Sequence, residues 1–244
     1  MVAGAMSFGV HFALWRGTRR GVLRNLESRT IVGTFAVALV ATFMGLAALR
    51  IYTSVFGLAR QGLFQVVSAH TGTGFSTVPG TELASWQGLA FAGIALAMAL
   101  GGMAMSTSGG VKALRVGLAL KVLKDQIKQV LLPERAVISQ VYEQGGRKRL
   151  TAGVAQAVLV VSLLYVALYV AGAAVGLAYG YPLHDALFES ISAGANVGLS
   201  VGVTNASMPV LLEITYIIQM WLGRLEFVAV FALLGFIVAG VRGR

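Results

Sequence analysis

Four apolar runs constrain this chain more than any other feature: residues 31–49, 86–100, 152–178 and 209–241. Roughly 20 consecutive apolar residues cross the ~30 Å hydrocarbon core of a bilayer as a helix. The first, third and fourth runs reach that length. The second is short by itself, but resumes past a Gly/Ser-rich interruption as residues 111–120. With 57% apolar and 11% charged residues, a chain of 244 residues has too little polar surface for a soluble domain. The expected class is an all-α integral membrane protein. There is no cysteine, which excludes disulfide, zinc-thiolate and thiol chemistry. The 31 glycines suit close helix packing and unwound segments in a membrane. Residues 1–14 are mildly apolar without a basic stretch ahead of them, so they read as the end of a helix and not as a signal peptide.

The formal net charge of +10 is distributed in a telling way. Arg16, Arg19, Arg20, Arg24 and Arg29 precede the first run. Lys112, Arg115, Lys121, Lys124, Lys128, Arg135, Arg147, Lys148 and Arg149 fall between the second and third, and Arg242 and Arg244 follow the fourth. The other connections, 51–85 and 179–208, hold between them a single basic residue, Arg60. By the positive-inside rule the basic segments are cytoplasmic and the other two connections face out, in a multi-pass protein of the plasma membrane. The basic balance therefore reports orientation, and membrane lipid, not nucleic acid, is the expected surroundings.

Each outward connection contains an apolar piece, 58–69 or 183–193, too short to cross. Runs of this length are re-entrant or interfacial. The order span, re-entrant helix with glycine loop, span occurs twice. That divides the chain into a first segment (1–29: the end of a preceding outgoing helix and a basic loop), a unit over 30–149 and a unit over 150–244. The two units share an internal repeat. Phe64 to Ser76 lies over Phe188 to Ser200 without a gap, with the common pattern F-x-x-x-S-A-x-x-x-x-G-[FL]-S. Such a string suits a selectivity filter, in which backbone carbonyls replace the hydration shell of a cation. Small residues and glycine let strands pack around a narrow axis, and the C-terminal dipole end of the preceding short helix favours a cation.

Thr71-Gly72-Thr73-Gly74-Phe75 and Ala195-Asn196-Val197-Gly198-Leu199 resemble the third and fourth filter segments of the Trk/Ktr/HKT potassium transporters. The resemblance covers nearly the whole chain. It implies potassium-channel-like M1–P–M2 pore repeats, two complete ones after the outgoing helix of the second, with Gly74 and Gly198 as filter glycines. It further implies K⁺ as the transported ion, held by filter carbonyls, with Na⁺ as a second ion and no covalently bound cofactor. Family pores have four repeats, so the expectation is a piece of a longer protein, with the first two repeats, or a second pore chain, supplied from elsewhere. The complete pore of this family is a homodimer and binds a cytosolic nucleotide-sensing ring, for which the basic segment 112–149 is a candidate dock. Gly72 departs from the usual hydroxyl or other small side chain, so the resemblance does not carry the ratio of K⁺ to Na⁺.

The interruption Gly101-Gly102-Met103-Ala104-Met105-Ser106-Thr107-Ser108-Gly109-Gly110 predicts an unwound segment beneath the filter. A kinked but continuous helix is the alternative. The string resembles the family's intramembrane gating loop, with Met103-Ala104-Met105 replacing its usual Ser-Pro-Gly. Arg224 lies near the middle of the fourth run, where a charge costs about 2.5–3.5 kcal/mol and must face the bundle interior. It resembles the family's pore arginine; neutralisation by Glu226 is the other reading. Glu189 has two readings, a negative field in the outer vestibule or a brace behind the filter. His11, His70 and His184 lack ligand spacing. Two further classes compete. A secondary transporter coupling a cation to a solute would show inverted repeats, whereas these point the same way. An intramembrane enzyme using Ser106 or Ser108 lacks a base, so no enzymatic activity is expected.

Overall fold

The computed structural model describes residues 1–132 and 141–242. Arg135 and Arg244 of the basic segments lie outside the described residues. Two short helices, α1 (Val2–Ala5) and α2 (Phe8–Trp15), and a further turn, α3 (Arg19–Arg24), lead into α4 (Leu26–Leu49). The first unit continues with α5 (Val55–His70), α6 (Gly80–Ala84), α7 (Leu89–Leu100) and α8 (Ala113–Leu131). A small hairpin of β1 (Val141–Glu143) and β2 (Arg147–Arg149) precedes α9 (Ala152–Ala178), α10 (Leu183–Gly194), α11 (Val210–Leu225) and α12 (Phe227–Val241).

The long helices follow directly from their sequences. α4 begins where the Asn25 side chain accepts from the Glu27 amide at 2.9 Å, filling one of the orphan donors of a helix start. It runs 24 residues, about 36 Å at 1.5 Å per residue, and stops at Arg50 in the left-handed region. α9 runs 27 residues from a Thr151 cap. Both are apolar on every side, as helices surrounded by protein and lipid are. They are the helices long and apolar enough by themselves to cross a membrane among the described residues.

Long helix, short helix, loop and helix recur in one order, as α4–α5–loop–α7 and α9–α10–loop–α11. α4 packs on α5 and α7, α9 packs on α10 and α11, and α10 meets α7 between the halves. The α4–α7 approach is close because a side chain at Gly93 would overlap Thr42. Trp86, Ile94 and Met98 from the first half and Tyr165 and Phe188 from the second share one buried core.

The second run is interrupted: α7 is 12 residues long, the chain leaves helix at Gly101, and α8 resumes at Ala113 as an amphipathic helix packed on α4 and α9. Three expectations change. The fourth run is not one helix, since α11 and α12 meet at 103°. Glu226 sits at the break with φ 61 and ψ 146, a conformation that cannot continue a helix. Residues 1–14 are not one helix tail but two short helices broken at Met6 and Ser7. Lastly, the fold is mostly helical but not purely so, because β1 and β2 pair antiparallel across the Gln144–Gly146 turn.

Candidate functional site

α5 and α10 both end in a loop, and the two loops have the same backbone. The Thr71 amide donates to Val67 at 3.0 Å and its equivalent, Ala195, to Ile191 at 2.8 Å. Gly72 donates to Ala69 and Asn196 to Ala193; Thr73 donates to Ser68 and Val197 to Ser192. Left-handed φ values recur at the same places: 65° at Gly72 and 55° at Asn196, 78° at Gly74 and 90° at Gly198. Asn tolerates this region better than other side chains, and glycine adopts it freely. The left-handed residues thus fall at every second position of both loops.

Each loop is braced from behind by one buried polar residue at the same place in the repeat. The Gln65 side-chain amide donates to Ser76 Oγ at 2.6 Å. Its counterpart Glu189 accepts from Ser200 Oγ at 2.5 Å, the Val201 amide at 3.0 Å, the Val203 amide at 3.2 Å and Thr204 Oγ1 at 2.8 Å. Both residues are buried. Of the two readings of Glu189, the brace is the one the contacts favour. Positions 65 and 189, and again 76 and 200, are polar in both copies of the repeat. Ser192 Oγ also accepts from the Gly198 amide at 3.1 Å. Leu199 is buried, but its counterpart Phe75 is exposed.

The two loops touch. A Cβ on Gly74 would overlap the Val197 carbonyl oxygen. Segment 101–112 lies against both, because a Cβ on Gly72 would come within 2.8 Å of Ser108 Oγ and one on Gly109 would overlap the Ala195 carbonyl. The ends of this segment are tied together by amide bonds from Val111 to Ala99, Lys112 to Leu100 and Ala113 to Gly102. Inside it, Ser108 Oγ accepts from the Gly102 amide at 2.8 Å and Ser106 Oγ donates to Met103 at 2.6 Å. Gly101, Met105, Gly110 and Lys112 have positive φ. The interruption is thus an excursion from the helix path, not a kink. Its serine hydroxyls are occupied by backbone.

Sequence reasoning missed what holds this excursion from the far side. The Met103 amide donates to the Ala5 carbonyl at 2.9 Å, and Thr107 donates to Gly4 through both its amide, at 3.2 Å, and its hydroxyl, at 3.0 Å. The Glu27 carboxylate accepts from the Ala104 amide. Glu27, in the first turn of α4, is the one acid in the Arg-rich stretch 16–29, which was a signal that it has a partner.

Arg224 stands in the last turn of α11 and is exposed, at the end of a helix and not in the middle of a straight one. Its neighbour Gly223 is pressed on Gly194, where a Cβ would overlap the carbonyl, and Asn196 Nδ2 donates to Met220 at 3.0 Å. Met220 and Arg224 are four residues apart on α11, so the helical turn that carries Arg224 is the one packed on the second loop. It does not pair with Glu226. That carboxylate instead holds Lys112 Nζ at 3.0 Å and the Arg115 guanidinium, and so ties the end of the excursion to the α11–α12 break. The histidines stay apart: His70 Nε2 shares a hydrogen bond with Thr34 Oγ1 at 2.9 Å, His184 lies beside Asp185, and His11 meets the Ala3 carbonyl. Among the described residues no group of three metal-ligating side chains forms.

The family model described as TrkH, cation transport protein, matches residues 1–237. An uncharacterized cation transporter of Methanocaldococcus jannaschii is 33% identical over 96% of this chain and 45% of its own length. The Trk system potassium uptake protein TrkH of Halomonas elongata is 29% identical over 65% of this chain and 31% of its own. The crystal structure of the potassium transporter TrkH from Vibrio parahaemolyticus superposes with a TM-score of 0.78 at 26% identity, covering 96% of this chain and 50% of that one. The chain spans half or less of the length of these relatives.

Proposed function

The chain belongs to the TrkH family of cation transport proteins, and on that premise we propose that it supplies half of a potassium-conducting pore in the plasma membrane. In this reading α4–α5–α7 and α9–α10–α11 are the third and fourth M1–P–M2 repeats. The carbonyls of 71–75 and 195–199 coordinate a dehydrated K⁺, and the first two repeats close the ring. The observation that carries the reading is the shared backbone of the two loops, with left-handed residues at 72 and 74 and again at 196 and 198, laid side by side at Gly74 and Val197.

Segment 101–110 and Arg224 are the gate below this filter. The excursion occupies the space directly against both loops, and Arg224 adds a fixed positive charge at the foot of the second. A cation leaving the filter meets both. The basic segment 112–149 faces the cytoplasm, where a nucleotide-sensing ring docks on the homodimeric pore. The chemistry is coordination and release; no covalent bond is made or broken.

Gly198→Ser in the complete pore protein tests the filter. No atom lies within 4 Å of a Cβ at Gly198 in this chain, but the φ of 90° is strained for any side chain. The expected outcome is a lowered preference for K⁺ over Na⁺ in proteoliposome flux, with Rb⁺ uptake still measurable. An unchanged permeation ratio would remove residues 195–199 from the ion path.

A further inference from the structure

A groove of about 930 Å³ lies away from the loops, on the side where α4, α7 and α8 meet. Its chemistry is divided. At one end stand Arg24, Arg29 and Lys124, and Lys121 beside them is already engaged by Asp125 at 3.2 Å. The wall beyond is apolar, formed by Gly33, Val37, Leu96, Leu100 and Leu120. Arg29 and Val37 are eight residues apart on α4, so the groove runs about 12 Å along the helix from its cationic mouth. Val37 and Leu120 are more than half exposed, so the wall is open from the side.

We propose that this groove binds an anionic phospholipid, its phosphate at Arg24, Arg29 and Lys124 and an acyl chain along Gly33, Val37 and Leu96. Charge complementarity selects the head group: three cations face one lining carboxylate, Glu143. The apolar wall selects a lipid over a free phosphate or nucleotide, which gains nothing from it. The volume lies near the upper end of the roughly 300–1,000 Å³ of ligand pockets, far beyond what a monovalent ion needs. The inference rests on the proposed orientation, which puts the mouth at the cytoplasmic leaflet, where anionic lipid concentrates.

Native mass spectrometry of the complete, delipidated pore protein tests it with phosphatidylglycerol and phosphatidylcholine as probes. Retention of phosphatidylglycerol should exceed that of phosphatidylcholine roughly twenty-five-fold, as two basic residues near a membrane surface supply at fivefold each. The combined variant Arg24→Gln, Arg29→Gln, Lys124→Gln should lower it roughly a hundredfold, at about fivefold per charge. Gly33→Phe should block both lipids, because a side chain at Gly33 meets open space in the groove and not the fold. Equal retention of the two lipids, or retention unchanged by either variant, overturns the proposal. So does Gly33→Cys, the sole thiol of this chain, forming a cross-link to a second copy or to the other half of the pore. Displacement of bound lipid by inorganic phosphate alone also overturns it. Lipid retention is read without ion flux, so loss of Rb⁺ uptake with binding intact would count against the pore alone.

Discussion

Glu189 offers the sharpest test of how the second loop keeps its shape. Its carboxylate accepts hydrogen bonds from Ser200, Val201, Val203 and Thr204, and it is buried. Glu189→Ala deletes the acceptor of all four hydrogen bonds. Buried donors left unsatisfied cost about 1–3 kcal/mol each. Relaxation and water entry reduce the sum, so a loss of roughly 3–6 kcal/mol is expected, enough to disorder residues 200–204. Glu189→Gln retains one acceptor oxygen for Ser200, Val201 and Val203, and its new amide faces a Thr204 hydroxyl that can turn to accept. Only the charge assistance disappears, about 1–2 kcal/mol. The Gln65–Ser76 bond in the first loop shows that an amide serves this position. In the complete pore protein, thermal unfolding in detergent should rank wild type above Gln and Gln well above Ala. K⁺ over Na⁺ preference in proteoliposomes should persist in Gln and fail in Ala. If Gln instead abolishes flux while unfolding like wild type, the carboxylate acts through its field on the ion and the brace argument is wrong.

Further outcomes follow from the contacts around the excursion. Glu226→Gln should destabilise the pore protein by roughly 1–2 kcal/mol, since the side chain is a third exposed while its partner Lys112 is nearly buried. A double-mutant cycle with Lys112→Met should show coupling of similar size, and strictly additive effects would deny the tie. Arg224→Ala should raise Rb⁺ uptake several-fold if its charge obstructs the path, and wild-type uptake would remove that role. Gly109→Ala should lower stability by about 1–3 kcal/mol, because the added methyl overlaps the Ala195 carbonyl. Gly33→Ala, open at its Cβ in α4, is the control and should stabilise by about 0.5–1 kcal/mol. Equal thermal shifts in the two glycine variants would contradict the close contact.

The excursion is held from three sides by separate parts of the chain: α1 through Ala5 and Gly4, α4 through Glu27, and the α11–α12 break through Glu226 at its end. Movement of any one alters its hydrogen bonds. A displaced α12, for example, pulls on Glu226 and with it on Lys112, the last residue before α8. Such coupling runs through a contiguous set of bonded groups, and the Glu226–Lys112 cycle measures one link of it.

Composition alone determined that this chain lives in a membrane, because 57% apolar residues in runs of helix-spanning length have no other way to be buried. The repeat determined more. Phe64 to Ser76 over Phe188 to Ser200 fixed two loops of one shape, since glycine spacing and small residues act on the backbone locally, and the left-handed angles fall where the alignment put them. The interruption at 101–110 was legible for the same reason, two glycine pairs being a local signal. Where the fourth run breaks was not legible. Nothing in Leu225-Glu226-Phe227 forbids a helix, and the bend exists where Lys112 and Arg115, more than a hundred residues earlier, bind Glu226. The same holds for Glu27 on Ala104 and for Gly74 on Val197. Propensity and periodicity act over a turn or two of chain, whereas ion pairs and close backbone approaches join segments that meet only when the whole fold is assembled.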